Sequence, residues 1–174
     1  MDIIYQRRSI RKYLDKPVEK EKLVEIIRAG MAAPSSENEQ PWFFMVIDDK
    51  DILHKIPEFT WSAPVLKKSP CAILVCADVT YAKDPKDFWW VQDCAAATQN
   101  MLLEIEDQGL GGVWIGIHPE KDFVDGIKNL LSLPEQVVPF SLISLGYKGK
   151  IKEPTDRYYD DRVYYNKWGE VLIK

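Results

Sequence analysis

The chain has 174 residues, a formal net charge of -4 and a pI near 5.3, with 46% hydrophobic and 29% charged residues. This length suits one domain with its own core, so we predict a single domain over residues 1–174. The acidic balance argues against a nucleic-acid binder, and no apolar run reaches the ~18 residues that a membrane span needs. The N-terminus lacks the apolar stretch of a signal peptide, so we expect none.

Hydrophobic periodicity and turn residues predict the elements of the first half of the chain. The clearest is an amphipathic helix over residues 19–33, because apolar residues from Leu23 to Met31 follow the i, i+3, i+4, i+7, i+8 pattern. The apolar run at residues 71–78 is typical of a central strand covered on both faces. The other predictions are a short helix over residues 2–7 with Ile3 and Ile4 on its inner side, a buried strand in "PWFFMVIDD", and short helices over residues 50–56 and 63–68.

In the second half of the chain, the sequence pattern predicts the longest helix over residues 88–108, and Gly109 is expected to end it. Ala95, Ala96 and Ala97 are small, so a neighbouring helix can approach this helix closely. "GLGG" after it is read as a cap and turn. Strands follow over residues 113–117 and 138–145, with a helix in "KDFVDGIKNLLSL" between them. Helices alternating with strands predict one α/β or α+β sheet sandwiched by helices.

The tail "KGKIKEPTDRYYDDRVYYNKWGEVLIK" is polar, aromatic and poorly periodic. It has no core of its own, and its tyrosines and Trp168 gain nothing from exposure to water. We therefore expect the tail to lie across another surface, with a partner subunit as the natural candidate.

The residues that commonly bind metals show no metal-ligand spacing. Cys71, Cys76 and Cys94 are predicted to be reduced, buried thiols in a cytoplasmic protein. His54 and His118 lie far apart in the sequence, without a cysteine or carboxylate at ligand spacing. We expect no metal site. The sequence also has no GxSxG, no Walker A loop and no GxGxxG after a strand, so an enzyme here would need a cofactor for the hard chemistry.

The stretch "YQRRSIRKY" concentrates Arg7, Arg8, Arg11 and Lys12 around Ser9 in an acidic chain. Like charges repel, so such a cluster is costly unless an anion lies beside it. Arginine matches phosphate geometry best, which indicates a phosphate-bearing ligand. The alternative is a solvated cationic face paired with nearby acids.

Two further segments are ambiguous by themselves. "APSSENEQPW" is rich in turn residues, yet Asn38 and Gln40 also offer paired donors and acceptors that suit the edge of a heterocyclic ring. "GVWIG" is either a buried strand end or a place where its glycines, Gly112 and Gly116, let a flat ligand approach the backbone.

Taken together and in order, four segments resemble the flavin-dependent nitroreductase family. They are "RRSIR", "APSSENEQPWFF", "CAAATQNMLLEIEDQGLGGVWIG", and "LGY" followed by "PTDRYYDDRVYYNKW", and they cover residues 3–168. The resemblance implies an α+β fold with a mostly antiparallel central sheet wrapped by helices. It also implies an intertwined homodimer with FMN at the subunit interface, in which an exchanged C-terminal tail, about residues 158–174, extends over the partner.

The resemblance also implies roles for particular residues. The residues implied to hold FMN phosphate, ribityl and pyrimidine-edge groups are Arg7, Arg8, Ser9 and Arg11, with Arg157 on the phosphate. Those implied to contact the flavin from the partner chain are Pro34, Ser35, Ser36 and Asn38. Those implied to lie along the isoalloxazine, with a backbone N–H near N5, are Trp114, Ile115 and Gly116. Those implied to line a variable, aromatic substrate pocket are Phe88, Trp89 and Trp90.

One position departs from the family pattern. Many relatives carry a second cation two residues before the tail arginine, where this chain has Thr155. Lys148, Lys150 or Lys152 could supply that charge, and the sequence leaves the choice among the three open.

The activity implied is an FMN-dependent NAD(P)H oxidoreductase without catalytic side chains, because the flavin carries the chemistry. Hydride would pass from NADH or NADPH to N5, and then to a nitroaromatic, a quinone or another flat, electron-poor acceptor in ping-pong order. Three alternatives remain open: reductive dehalogenation, breakdown of the flavin with oxygen, and a flavin-binding module without turnover.

Overall fold

A four-stranded sheet forms the centre of the computed structural model, which describes residues 3–172. Its strands are β1 (Trp42–Ile47), β2 (Cys71–Asp78), β3 (Leu110–Gly116) and β4 (Val137–Tyr147), in the order β1-β2-β4-β3. The helices are α1 (Ile3–Gln6), α2 (Lys20–Met31), α3 (Lys50–Lys55), α4 (Trp89–Asp107) and α5 (Lys121–Leu131). All three strand pairs are antiparallel, so the predicted α+β class with an antiparallel sheet is confirmed. Asp2 of the predicted first helix and residues 173–174 of the predicted tail lie outside the described residues.

Helices cover both faces of the sheet. Successive strand residues point to opposite sides, so a strand that is apolar throughout contributes to a core on each face. Ile73 and Val75 of β2 belong to a core beneath α2 and α4. Leu74 between them packs into a second core with Phe123 of α5 and Leu142 of β4. The run at residues 71–78 is therefore a central strand buried on both faces, as predicted.

The long helix α4 begins one residue later and ends one residue earlier than the predicted helix over residues 88–108. Gly109 follows it with a left-handed φ of 73°, as expected for a residue after a helix end. Helix α2 does approach α4 closely, but at Gly30, where a Cβ atom would lie 2.8 Å from Cγ of Met101. Asn100 also donates a hydrogen bond to the carbonyl of Ala29 at 3.2 Å.

Four local predictions need correction. β1 is an edge strand with one partner rather than a buried strand, so Phe43 is 45% exposed. β3 begins at Leu110, so three residues of "GLGG" lie in the strand and only Gly109 lies in the turn. Ile4 and Met31 are about half exposed, at 48% and 56%, rather than buried on inner helix faces. The short helix near residue 63 is a 3-10 helix, Pro64–Lys68.

No helix among residues 3–172 is long and apolar enough to cross a bilayer. The described residues also contain no group of three or more His, Cys, Asp or Glu residues that could hold a metal ion.

The three cysteines are buried and free, as predicted. Burial raises the pKa of the Cys71 and Cys76 thiols to about 12 and raises that of Cys94 as well. We expect no thiol to react with iodoacetamide in the native protein at pH 8, and all three to react after unfolding, with mass spectrometry as the readout. Rapid labelling of the native protein would contradict this expectation.

The same shifts predict how stability depends on pH. A thiol with a raised folded-state pKa favours the folded state below the unfolded pKa, and this contribution is lost as pH rises through the folded pKa. We therefore expect the free energy of unfolding to fall between about pH 9 and pH 12 because of the cysteines. Replacing Cys71 with serine should make that fall smaller in urea titrations across this pH range.

Candidate functional site

The cationic segment after α1 lies beside the start of β3. Ser9 forms a parallel bridge with Gly112, and the Ile10 N–H donates to the Gly112 carbonyl at 3.0 Å. Further along, the Leu14 N–H donates to the Tyr147 carbonyl at the end of β4, at 2.9 Å. These backbone bonds hold the arginines of the segment at one edge of the sheet.

Gly111 makes this close approach possible. A Cβ atom at position 111 would lie 2.7 Å from Cβ of Ile10, closer than packed atoms tolerate. Ile10 is buried there. The hydroxyl of Tyr13 lies 2.8 Å from the Ile10 carbonyl and 2.9 Å from Oγ of Ser144, and burial raises the Tyr13 pKa. Sequence reasoning missed the role of Gly111. The pair of adjacent glycines in "GLGG" was the signal from which a close approach of two backbones could have been predicted.

A cavity of about 650 Å³ opens beside this segment, between α1 and the tail. Its cationic lining residues are Arg7, Arg8, Arg11, Lys152 and Arg157, and Ser9 also lines it. Among residues 3–172, Asp156 is the only carboxylate that lines it. We call this space the cationic cavity. The fold thus brings Arg157 to the N-terminal arginines, although the two segments stand at opposite ends of the sequence.

Lys152 is the lysine that the fold places in the cationic cavity. Lys148 is instead paired with Glu106, and both of these side chains are largely buried. At the departure from the family pattern, the Thr155 hydroxyl accepts a hydrogen bond from Nη1 of Arg8 at 2.8 Å. Position 155 therefore orients an arginine rather than adding a charge.

The loop from "APSSENEQPW" lies elsewhere in the chain, against α4. The 3-10 turn Ser36–Asn38 is held by a hydrogen bond from the Ser36 N–H to Oδ1 of Asp93 at 2.9 Å. Ser35 accepts from the Gln40 N–H at 3.0 Å, and Asn38 accepts from the Gln40 side chain. None of Pro34, Ser35, Ser36 or Asn38 lines the cationic cavity of the described chain.

The end of β3 opens into a second cavity, of about 800 Å³. Ile115 is buried and Trp114 half-buried, whereas Gly116 is exposed and a Cβ atom there would meet nothing within 4 Å. Trp61, which is 93% exposed, lines the same cavity. Sequence reasoning did not single out Trp61. An aromatic residue between polar residues in "EFTWSAP" was the only indication.

The three aromatic residues at the start of α4 point in different directions. Trp90 is buried, and its ring packs edge-on against His118 with centroids 4.8 Å apart. Phe88 is exposed, 6.4 Å from the His118 ring, while Trp89 lines a small cavity beside Ser36. Partial burial lowers the pKa of His118, which favours the neutral imidazole.

Comparison with known proteins shows the family to which the chain belongs. A model of the nitroreductase family matches residues 4–65 and 58–147. The chain is 44% identical to a Methanothermobacter thermautotrophicus protein provisionally named an NADH dehydrogenase/NAD(P)H nitroreductase, over 97% of this chain and 87% of that one. It superposes with a TM-score of 0.91 on a crystal structure of the same provisional name from Parabacteroides distasonis, at 39% identity, covering 96% and 97% of the two chains.

A third similar protein is an FMN-dependent nitroreductase from Clostridium difficile. Its structure matches with a TM-score of 0.88 and 31% identity, covering 95% of this chain and 98% of that one. The family model, the sequence relatives and the structures all span most of the chain. The chain belongs to the nitroreductase family of oxidoreductases.

Proposed function

We propose that this protein is an FMN-dependent NAD(P)H oxidoreductase. Bound FMN would supply the hydride chemistry, between NADH or NADPH in one half-reaction and a flat, electron-poor acceptor such as a nitroaromatic or a quinone in the other, with N5 as the reacting position. The observation that carries the proposal is the arrangement along β3. The cationic cavity lies beside the start of this strand, and Gly116 at its other end leaves space for a ligand. The similar protein from Clostridium difficile is named as FMN-dependent.

The cationic cavity fits a phosphate group. A phosphomonoester carries about -1.5 to -2 charges at pH 7, and the described residues that line the cavity include four arginines and a lysine against one carboxylate. Arginine can bind phosphate oxygens in a bidentate manner. In this proposal Arg7, Arg8, Arg11 and Arg157 hold the phosphate and ribityl groups with Ser9, and Lys152 supplies the charge that position 155 lacks.

The end of β3 fits the edge of a flat ring. Gly112, beside Ser9, and Gly116 are four residues apart on one strand, which corresponds to about 13 Å at ~3.3 Å per residue. This separation suits an extended ribityl chain between a phosphate and a ring. Trp114 and Ile115 would lie along that ring, and a backbone N–H near Gly116 would stabilise the negative charge that the ring gains on reduction.

A second copy of the chain would complete the site. Pro34, Ser35, Ser36 and Asn38 do not line the cationic cavity of their own chain, so in this proposal they contact the flavin bound by the partner. The tail supports a homodimer, because Trp168 is 89% exposed. We propose one domain over residues 1–174 whose tail, about residues 158–174, extends over the partner.

We assign the side chains binding and orienting roles and no proton-transfer or nucleophilic role. The acceptor would reach the exposed ring face through the 800 Å³ cavity beside Gly116, where Trp61 offers a flat surface. Phe88 and Trp89 are exposed and remain proposed contacts of the substrate. Trp90 would act from the core, by supporting Phe88 and His118.

An absorption spectrum of the purified protein tests the proposal. We expect bound or added FMN to give a yellow protein, anaerobic NADH or NADPH to bleach it, and a nitroaromatic or quinone to restore the colour. A colourless protein that does not bind FMN would sink the proposal. Flavin that binds but stays oxidised with both nicotinamides would indicate a binding module, and flavin fragments formed under oxygen would indicate flavin breakdown.

A further inference from the structure

Asp93 is a buried carboxylate that the proposed chemistry does not use. It lies on α4 with 5% of its surface exposed. One oxygen, Oδ1, accepts the bond from the Ser36 N–H, while Oδ2 is buried without a hydrogen-bond partner among residues 3–172. Burial raises the pKa of Asp93, because desolvation penalises the charged form. A half-satisfied carboxylate in a core is costly, so its presence needs a reason.

The loop that Asp93 holds has three residues with unfavourable backbone angles. Glu37, Asn38 and Gln40 have φ values of 47°, 60° and 50°, in the left-handed region that residues with a Cβ atom disfavour. Such backbone persists only where surrounding contacts over-determine it. Side chains of the loop bond mainly to the loop itself, at Ser35 and Asn38.

Several hydrogen bonds tie this loop to the rest of the described chain, and at its C-terminal end the Asp78 N–H donates to the Pro41 carbonyl at 2.9 Å. Lys83 contacts Glu37 and Glu39 through hydrogen bonds at the exposed surface. The bond between Ser36 and Asp93 is the one that reaches a buried side chain on a long helix. Both contacts of Lys83 lie at the exposed surface, where ion pairs contribute little, and the Pro41 bond holds the far end of the loop. The buried bond to Asp93 is therefore the attachment that acts on Ser36 itself.

We propose that Asp93 is a positioning residue that holds Ser35, Ser36 and Asn38 in the shape needed to contact the flavin. This inference rests on the proposed function. It has a directional consequence: Asp93 of one chain would serve the flavin bound in the cationic cavity of the other chain, because the loop lies away from its own cationic cavity.

The first test compares Asp93→Ala with Asp93→Asn. We expect the alanine variant to bind FMN and riboflavin at least about tenfold more weakly, because the loop contacts the ring rather than the phosphate. The asparagine variant should restore binding and the visible circular dichroism of the bound flavin, since its amide oxygen can accept the same bond. Asp107→Ala, an exposed acid at the end of the same helix, is the control.

If Asp93→Ala does not fold, Asp93→Ser is used instead, because its shorter side chain cannot reach Ser36. Wild-type binding in the variant that lacks the bond would overturn the inference. Equal losses in the asparagine and alanine variants would also overturn it, because the effect would then follow the charge rather than the bond. A wild-type protein that neither binds FMN nor reacts with NAD(P)H would instead defeat the proposed function.

The second test is complementation between chains. A chain with Asp93→Ala has an intact cationic cavity, and a chain with Arg7→Ala and Arg157→Ala has an intact loop. Co-expressed with two different tags and purified as a mixed dimer, they should recover about half of the activity of the wild-type dimer, because one of the two sites is complete. Mixed dimers without activity would show that Asp93 acts within its own chain, and would overturn the directional part of the inference.

Discussion

Replacing Arg7 and Arg157 together with alanine is expected to weaken FMN binding by about 100-fold or more. Each hydrogen bond to a charged group contributes about 1.5–3 kcal/mol, so losing two such partners costs about 3 kcal/mol at the least, or about two orders of magnitude in Kd. Arg7 and Arg157 both line the cationic cavity, from segments at opposite ends of the chain. Titration of apoprotein with FMN, followed by quenching of flavin fluorescence, measures the loss.

Two controls separate a phosphate contact from a general effect of charge. Lys12→Ala removes a neighbouring cation that does not line the cavity, and it should leave FMN affinity unchanged. Riboflavin, which keeps the ribityl chain but lacks the phosphate, should lose much less affinity in the double variant than FMN does. A riboflavin affinity that fell as much as the FMN affinity would show that the two arginines do not act on the phosphate.

Deleting residues 158–174 is expected to convert the proposed dimer to a monomer and to release its FMN. The deleted segment carries four exposed aromatic side chains: Tyr158, Tyr159, Tyr165 and Trp168. Burying one large apolar side chain contributes about 1.5–3 kcal/mol. Removing several such side chains from the interface should therefore weaken the association enough to dissociate the dimer. Sedimentation velocity gives the association state, and the absorbance of an ultrafiltrate gives the released flavin.

The remaining fold should survive this deletion. Backbone hydrogen bonds of the described tail join it to itself, as between Tyr165 and Glu170 and between Leu172 and Val163. Circular dichroism of the shortened protein should therefore retain its helical signal. The deletion also keeps Arg157, so flavin loss would trace to the interface rather than to the phosphate contact. A shortened protein that stays a yellow dimer would refute the proposed role of the tail.

Local patterns predicted much of the fold. Helices α2 and α4 and the central strand β2 appear within one or two residues of their predicted bounds. Their periodicity, caps and breakers are properties of neighbouring residues, so no knowledge of the fold was needed to find them. Exposure was harder to predict. β1 reads as a buried strand by its content, yet its place at the edge of the sheet leaves Phe43 exposed.

Some features of the candidate site could also be predicted from the sequence, whereas others depend on tertiary packing. Composition alone could not decide whether Arg7, Arg8 and Arg11 form a solvated face or a binding cavity. The order of four motifs favoured the cavity, through resemblance to a family that the comparisons then supported. The role of Gly111 and the place of Trp61 depend on which distant segments pack together, and neither leaves a periodic pattern in the chain.

The sequence by itself thus predicted a sheet sandwiched by helices and the set of basic residues from which a phosphate site could be built, because these follow from residue types and their local order. The α+β class was implied by the resemblance of four motifs to the family. Tertiary structure decided which of the basic residues meet. Hydrogen bonds from Ile10 to β3 and from Leu14 to β4 hold the N-terminal arginines at the edge of the sheet. The fold places Arg157 and Lys152 beside them in the cationic cavity, whereas Lys148 pairs with Glu106. Pairing between segments distant in the sequence depends on the packed sheet, which no local stretch of residues specifies.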